Sequence, residues 1–173
     1  MATDEPEGGA ATAPALDRRA QRKFLVVVDD TSECRVAVRY AARRAERTGG
    51  SLLLLRVIET RTELAHWLAV EQRLRDEATA AAELLLHTVA SEIHDWTGLV
   101  PAVAIREGML QDELIAQIEA DPAISVLVLA AAPGNEGPGP LVSVLAGKLS
   151  GRMRIPVTVV PGGLSDEQVD RLA

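Results

Sequence analysis

Acidic side chains follow the first apolar run of the chain. Asp29 and Asp30 come directly after Phe24–Val28, a segment that is apolar at every position. Such a segment is typical of a strand buried on both faces of a parallel sheet. At the carboxyl end of that strand, paired acids can position a ribose or a cation, or they can cap the next helix. The sequence leaves both interpretations open.

Cys34 is the single cysteine, so the chain forms no internal disulfide and has no cysteine cluster for zinc. It falls in the first turn of the helix predicted after Asp30. The positive end of a helix can lower a thiol pKa, which would suit redox sensing. A cysteine at a strand–helix junction also serves as a small, partly buried filler. A reducing compartment fits either interpretation, and we expect the protein to be cytoplasmic.

Three side chains on a later helix have the spacing of metal ligands. Glu83 and His87 lie four residues apart, and His94 follows seven residues later, so all three share one side of the predicted helix. A metal site needs a further convergent ligand, and none is evident. We therefore predict no metal site and interpret these side chains as solvated neighbours of a buried stripe.

The apolar pattern alternates between strands and helices along the ordered chain. Such alternation predicts an α/β fold, a doubly wound, five-stranded parallel sheet with helices on both faces. Residues 1–20 are predicted to be a disordered arm, 21–162 the domain and 163–173 a tail in which Ser165 could cap a helical turn. The predicted strands are Phe24–Val28, Leu52–Ile58, Val100–Ile105, Ile124–Ala130 and Pro156–Val160. The predicted helices run from Thr31 or Ser32 to Thr48, and over Glu63–Trp96, Gly108–Ala120 and Leu141–Met153. The buried stripe of the second helix is predicted to include Leu64, Trp67, Leu74, Ala78, Ala81, Leu85 and Ile93.

The composition excludes several classes of function. The 173 residues include 47% apolar side chains but only 2% aromatic ones, and the net charge is -7. Nucleic-acid binding needs clustered basic residues, often with stacking aromatics, so we expect no nucleic-acid partner. No segment approaches the length of a membrane span, so we expect no membrane partner either.

Four segments carry a resemblance to the universal stress protein family: FLVVVDDTSECRVAVRYAARRA, LLLLRVIE, VLVLAAAPGNEGPGP and IPVTVVP. The resemblance covers Lys23 to Pro161. It implies the strand order 3-2-1-4-5 and a ligand crevice between the ends of strands one and four. It also implies a homodimer formed through strand five, whose exposed edge invites pairing; the residues concerned are Val157, Thr158, Val159 and Val160.

For ATP-binding members, the resemblance implies roles for a first-strand Asp and a second-strand Val, matched here by Asp29 and Val57. It also implies a glycine loop around the phosphates, with a hydroxyl residue after the last glycine. Two registers of that loop are open. The glycine spacing fits Gly134, Gly137 and Gly147, with Lys148 in place of the hydroxyl. Counting from the flanking strands instead puts Ala130, Pro133, Ser143 and Val144 at those positions, and we favour this degenerate register.

The resulting prediction is a universal stress protein that acts as a dimeric stress-response or interaction module and does not bind ATP. It has no cofactor and no catalytic residues, and its partner is another protein or an unidentified small ligand. The tentative crevice residues are Asp29, Asp30, Val57, Ala130, Pro133, Gly134, Gly137, Ser143 and Val144. Two alternatives stay open. One is an ATP-binding switch, and the other is a slow nucleotide hydrolase or phosphotransferase that would use Ser143.

Overall fold

The computed structural model describes residues 22–59, 68–134, 137–147 and 151–173. The predicted N-terminal arm lies outside these ranges. Strands and helices alternate along the described chain. The strands are β1 (Lys23–Val27), β2 (Ser51–Ile58), β3 (Ala102–Glu107), β4 (Ile124–Ala131) and β5 (Val157–Pro161). The helices are α1 (Ser32–Thr48), α2 (Leu68–Thr97), α3 (Leu110–Ala120), α4 (Pro140–Ala146) and α5 (Asp166–Leu172).

The strands form one parallel sheet in the order β3-β2-β1-β4-β5. This confirms the predicted architecture and strand order. The winding direction reverses between β1 and β4, so their carboxyl ends diverge into a crevice. The outer strands β3 and β5 each pair on one side only within the described sheet.

β1 lies at the centre of the sheet and is buried on both faces. Val26 and the following Val28 point to one face, where the core includes side chains of α1 and α2. Leu25 and Val27 point to the other face and join the core beneath α3 and α4. This two-sided burial explains why the segment Phe24–Val28 is continuously apolar instead of alternating.

Local signals fix both ends of α1. The Thr31 side chain is the N-cap, and its hydroxyl accepts a hydrogen bond from the Cys34 N–H. The helix ends at Gly49, which has φ 65° in the left-handed region that glycine adopts without strain. The predicted start and end of this helix are therefore confirmed.

The buried stripe of α2 differs from the predicted one. Leu74 and Ala81 are exposed, whereas Ala82 and Leu86, which were not predicted, are buried. The predicted member Ile93 is buried, and Ala78 and Leu85 are half-buried. The error arose because the prediction assumed packing along the whole helix, but residues 72–77 are exposed and contribute nothing to the stripe. The predicted members Leu64 and Trp67 lie outside the described residues. In the described ranges, no helix is both long and apolar enough to cross a bilayer.

α4 is shorter than predicted. It ends at Ala146, and residues 151–153 are not helical, although the sequence predicts a helix to Met153. Gly147 forms the C-cap and its N–H binds the Ser143 carbonyl. Glycine weakens helices because its backbone has more freedom to lose, and Gly147 and Gly151 flank the end of this one.

The segment after β5 folds back onto α1. Ser165 caps α5 in a reciprocal capping box with Gln168, which confirms a helical turn in the predicted tail; the division at residue 162 stays a prediction. Gly162 leads into this segment in a tightly packed site. A Cβ atom there would lie 2.5 Å from the Ala131 carbonyl oxygen and 2.6 Å from Glu33 Cβ.

Leu86→Ala tests the corrected stripe of α2. Leu86 is 2% exposed, so we expect the substitution to lower the free energy of unfolding by about 2–5 kcal/mol, through lost burial and a cavity. Leu84 is 70% exposed, and Leu84→Ala should change it by less than about 0.5 kcal/mol. Urea denaturation measures both. Equal losses would show that the orientation of α2 is wrong.

Candidate functional site

A cavity of about 280 Å³ opens at the carboxyl ends of β1 and β4, and we call it the β1/β4 cavity. Its floor is mostly apolar and includes Val27, Leu129 and Ala130. Its mouth is bordered by α1, α3 and α4. The described residues that line it are Val27, Asp29, Thr31, Glu33, Cys34, Ala37, Glu59, Met109, Leu110, Gln111, Leu129, Ala130, Pro138, Gly139, Pro140, Leu141, Val142 and Val144.

Asp29 is held in place by the turn that starts α1. Its Oδ1 accepts hydrogen bonds from the Thr31 N–H at 2.9 Å and from the Thr31 hydroxyl at 2.5 Å. This is an Asx-type turn, in which a carboxylate binds the backbone two residues on. The Asp29 carboxylate therefore has a structural partner and also borders the cavity.

A second cavity of about 580 Å³ lies beside the first, between the ends of β1 and β2 and the helix α2; we call it the β1/β2 cavity. Asp29, Asp30 and Val57 all line it. Asp30 accepts a hydrogen bond from Arg56 Nη2 at 2.7 Å, and Arg56 Nη1 binds the Val28 carbonyl at 3.1 Å. Arg56 thus compensates the Asp30 charge within the crevice.

The structure brings together part of the tentative crevice set. Five of its members line one or both cavities: Asp29, Asp30, Val57, Ala130 and Val144. The described linings do not include Pro133, Gly134, Gly137 or Ser143. The Ser143 hydroxyl binds the Gly139 carbonyl of its own helix at 2.8 Å, so it is engaged in local structure.

The loop before α4 is rich in proline. Pro138 and Pro140 line the β1/β4 cavity on either side of Gly139, which has φ 91°. Proline has no N–H, so neither residue can donate a backbone hydrogen bond. Gly147 lies at the C-terminal end of α4 and is not among the described residues that line either cavity.

Sequence reasoning missed two acidic residues of the β1/β4 cavity. Glu33 is in the first turn of α1, and Glu59 directly follows β2. Both line the cavity together with Asp29. The position of Glu59 after an apolar run was a usable signal, because residues that follow parallel strands gather at one edge of the sheet.

Cys34 borders the same cavity but is buried. Burial raises the pKa of its thiol to about 11. Its sulfur lies 3.6 Å from the Val27 carbonyl oxygen and accepts the Asp29 N–H at 3.5 Å. A sensing cysteine needs a low pKa and exposure, so the structure favours the filler interpretation.

The three side chains with metal-ligand spacing on α2 are exposed: Glu83, His87 and His94. Over the described ranges, His, Cys, Asp and Glu side chains do not gather in groups of three that could hold a metal.

The geometry defines a class of protein. A five-stranded, doubly wound parallel sheet with cavities at its switch point is the architecture of nucleotide-binding and related α/β domains. The model of the universal stress protein family matches residues 21–161. The chain therefore belongs to the universal stress protein family.

Solved structures share the fold at low sequence identity. Universal stress protein UspA from Lactobacillus plantarum has a TM-score of 0.68 and 20% identity, covering 82% of this chain and 98% of that one. A universal stress protein from Archaeoglobus fulgidus in complex with dAMP has a TM-score of 0.56 and 15% identity, covering 80% of this chain and 96% of that one. A universal stress protein in complex with cAMP has a TM-score of 0.54 and 18% identity, covering 82% of this chain and 98% of that one. A comparison with curated protein sequences finds no match.

The Cys34 thiol should react slowly in the folded protein. With a pKa of about 11, it holds roughly a hundredfold less thiolate near pH 8 than a free cysteine. Reaction with a disulfide reagent, followed by absorbance, should be slower by at least that factor than in the urea-unfolded chain. Labelling as fast as in the unfolded chain would restore the sensing hypothesis.

Proposed function

We propose that this chain is a cytoplasmic universal stress protein that works as a dimeric interaction module and does not use ATP. The observation that carries the proposal is the charge of the β1/β4 cavity. Three acidic residues line it, Asp29, Glu33 and Glu59, and its described lining contains no lysine or arginine.

An acidic lining opposes the binding of a polyphosphate. Phosphate sites are usually built from backbone N–H groups, helix N-termini and basic side chains, which offset the anionic charge. Repulsion between like charges at close range raises the cost of binding further. An apolar floor with an acidic mouth suits a neutral or cationic small ligand better than a triphosphate.

The backbone around the cavity also supplies few donors. Pro133, Pro138 and Pro140 each lack an N–H in the segment that would wrap the phosphates. The Ala132 N–H binds the Pro138 carbonyl at 3.3 Å, and the Ser143 N–H binds the Gly139 carbonyl at 3.1 Å. These groups stabilise the loop and the first turn of α4, so they are not free to bind a ligand.

An ATP-binding switch is the second candidate. Asp29 and Val57 both border the β1/β2 cavity, as the family resemblance requires for the adenine end. Relatives have been solved with dAMP and with cAMP, which carry one phosphate each and place less demand on a phosphate loop. A monophosphate or nucleoside in the β1/β2 cavity is the form of this candidate that the charges oppose least.

A slow hydrolase or phosphotransferase is the third candidate. Ser143 was its one hydroxyl, and that hydroxyl binds the Gly139 carbonyl. We therefore propose a non-enzymatic role and assign no catalytic residue.

The dimer is proposed to form through the edge of β5. Val157 and Val159 border an apolar groove of about 370 Å³ that continues onto α4, so pairing of the edge would also bury apolar side chains. Thr158 and Val160 alternate with them along the strand. Two copies that meet edge to edge about a two-fold axis pair antiparallel. The opposite edge, β3, has instead an ion pair beside it, between Arg106 and Glu113 at 2.6 Å.

Calorimetric titration of the protein with Mg-ATP tests the proposed lack of ATP binding. We expect no saturable heat at nucleotide concentrations up to the millimolar range, because the cavity is acidic and poor in donors. Titration with AMP in parallel separates a monophosphate site from a triphosphate site. Micromolar ATP affinity that is weakened by Asp29→Ala would refute the proposal.

Val159→Lys should convert the dimer into a monomer. Val159 is 44% exposed on β5, and a charge there would have to be buried without a partner in the paired edge. Val103→Lys is the matched control, because Val103 is 52% exposed on the other edge strand, β3. Sedimentation or light scattering measures the mass of each variant. A monomeric Val103→Lys, or a dimeric Val159→Lys, contradicts the assignment of β5.

A further inference from the structure

Three arginines spaced four residues apart on α1 hold the helix α5. We call Arg39, Arg43 and Arg47 the arginine ladder. Residues at this spacing share one side of a helix, and this side faces α5. Arg39 and Arg43 bind the side chain of Asp170, while Arg47 binds the main-chain oxygens of Asp170 and Ala173.

The contact with Asp170 is a two-pronged ion pair. Arg39 Nε binds Asp170 Oδ1 at 2.9 Å, and Arg39 Nη2 binds Asp170 Oδ2 at 2.8 Å. Arg43 Nε adds a third bond to Oδ1 at 3.2 Å. The Arg39 hydrogen bond holds the pKa of Asp170 below its usual value. One turn earlier, Asp166 lies 3.0 Å from Arg39 Nη1.

The contacts of the arginine ladder with α5 are polar, and apolar contacts lie beside them. Val169 is buried within α5, Ala173 directly after it is buried as well, and Leu172 is exposed. Leu164, before the helix, packs against the core that contains α1. Contacts between charged groups weaken in salt far more than apolar packing does. α5 is therefore held by a set of ion pairs and hydrogen bonds together with a small apolar anchor, Val169 and Ala173.

The ladder is held in position by groups outside α5. The Arg39 guanidinium lies 5.0 Å from the centre of the Trp96 ring, a cation–π distance. Arg43 Nη1 binds the Trp96 carbonyl at 2.6 Å and Glu46 at 3.1 Å. Because these contacts do not involve α5, they would keep Arg39 and Arg43 oriented if α5 were displaced. Such preorganisation lowers the cost of binding a second ligand.

We propose that the arginine ladder is a docking surface for a short acidic helix of a partner protein, and that α5 occupies it within the chain. The helix α5 specifies the chemistry of that partner: an acid at one position, an apolar residue three positions later and an acid directly after it. Asp166, Val169 and Asp170 have this pattern. A partner helix would displace α5 by making the same bonds.

The geometry favours a helix over nucleic acid. The forked Arg39–Asp170 contact matches a planar carboxylate, and the site includes a buried position for an apolar side chain. Acidic groups also border it, since Glu46 lies beside Arg43, and Glu92 lies 3.5 Å from Arg35. They would repel an extended phosphate backbone.

This docking surface shares no residue with the linings of the two cavities or with β5. The proposal thus goes beyond the proposed function, and neither depends on the other. Loss of peptide binding would leave the ATP and dimer results unchanged.

The test uses a labelled peptide of residues 164–173 (LSDEQVDRLA) and fluorescence anisotropy. The receptor is the full chain carrying Asp166→Asn and Asp170→Asn, which weaken the internal α5. We expect this receptor to bind the peptide at least about tenfold more tightly than the unmodified chain, in which the tethered α5 competes. Binding should weaken as salt is added.

Two controls test whether the arginine ladder and the acidic side chains of the peptide are responsible for binding. Adding Arg39→Gln to the receptor should abolish peptide binding, whereas Arg44→Gln removes the same charge from α1 outside the ladder and should leave it nearly unchanged. A peptide with Asn at both acidic positions should bind at least about tenfold more weakly. Circular dichroism checks that each receptor is folded, and the single variant Asp166→Asn replaces the double variant if the latter unfolds.

Several results would overturn the proposal. A folded receptor that does not bind the peptide would do so. The same holds if Arg39→Gln has no effect, or if the Asn peptide binds as well as the acidic one. Equal or tighter binding of a labelled oligothymidylate would mean that the surface recognises negative charge alone, which contradicts a site for a helix.

Discussion

The burial of β1 on both faces is the constraint on which the rest of the structure depends. A central parallel strand can be shielded on two sides only if helices cross over both faces of the sheet. Here α1 and α2 cover one face, and α3 and α4 cover the other. The winding must then reverse beside β1, and the crevice is the space that this reversal leaves. The apolar segment Leu25–Val28 thus determines where the crevice lies in the fold.

Most of the fold could be predicted from the sequence because it depends on local periodicity. Continuous apolar segments marked the central strands, and Thr31 and Gly49 marked the ends of α1. The predictions failed where tertiary context decides the outcome. The side of α2 that packs on the sheet depends on where the helix begins to meet it, so Ala82 and Leu86 are buried while Ala81 is exposed and Leu85 is half-buried. The helix α4 ends early, at Ala146, because the glycine that follows it weakens helical structure. The spacing of apolar residues continues past this glycine, so it predicts a longer helix.

The candidate site was only partly predictable, for a related reason. Asp29, Asp30 and Val57 could be placed because they lie at the ends of strands, and a sheet gathers those ends at one edge. Glu33 contributes through the first turn of a helix, and its direction depends on how α1 packs. The arginine ladder was not predicted at all. Its partners Trp96 and Asp170 are far apart in sequence, and only the packing of α5 on α1 brings them together.

Gly162 lies where the wall of the β1/β4 cavity meets the segment that leads to α5. The space for a side chain at this residue is already taken by the Ala131 carbonyl and by Cβ of Glu33, and the chain continues from it into α5. Glu33 also lines the β1/β4 cavity, so the cavity wall packs directly against the turn that leads toward α5. Any side chain larger than hydrogen at residue 162 would have to move either this wall or the turn itself.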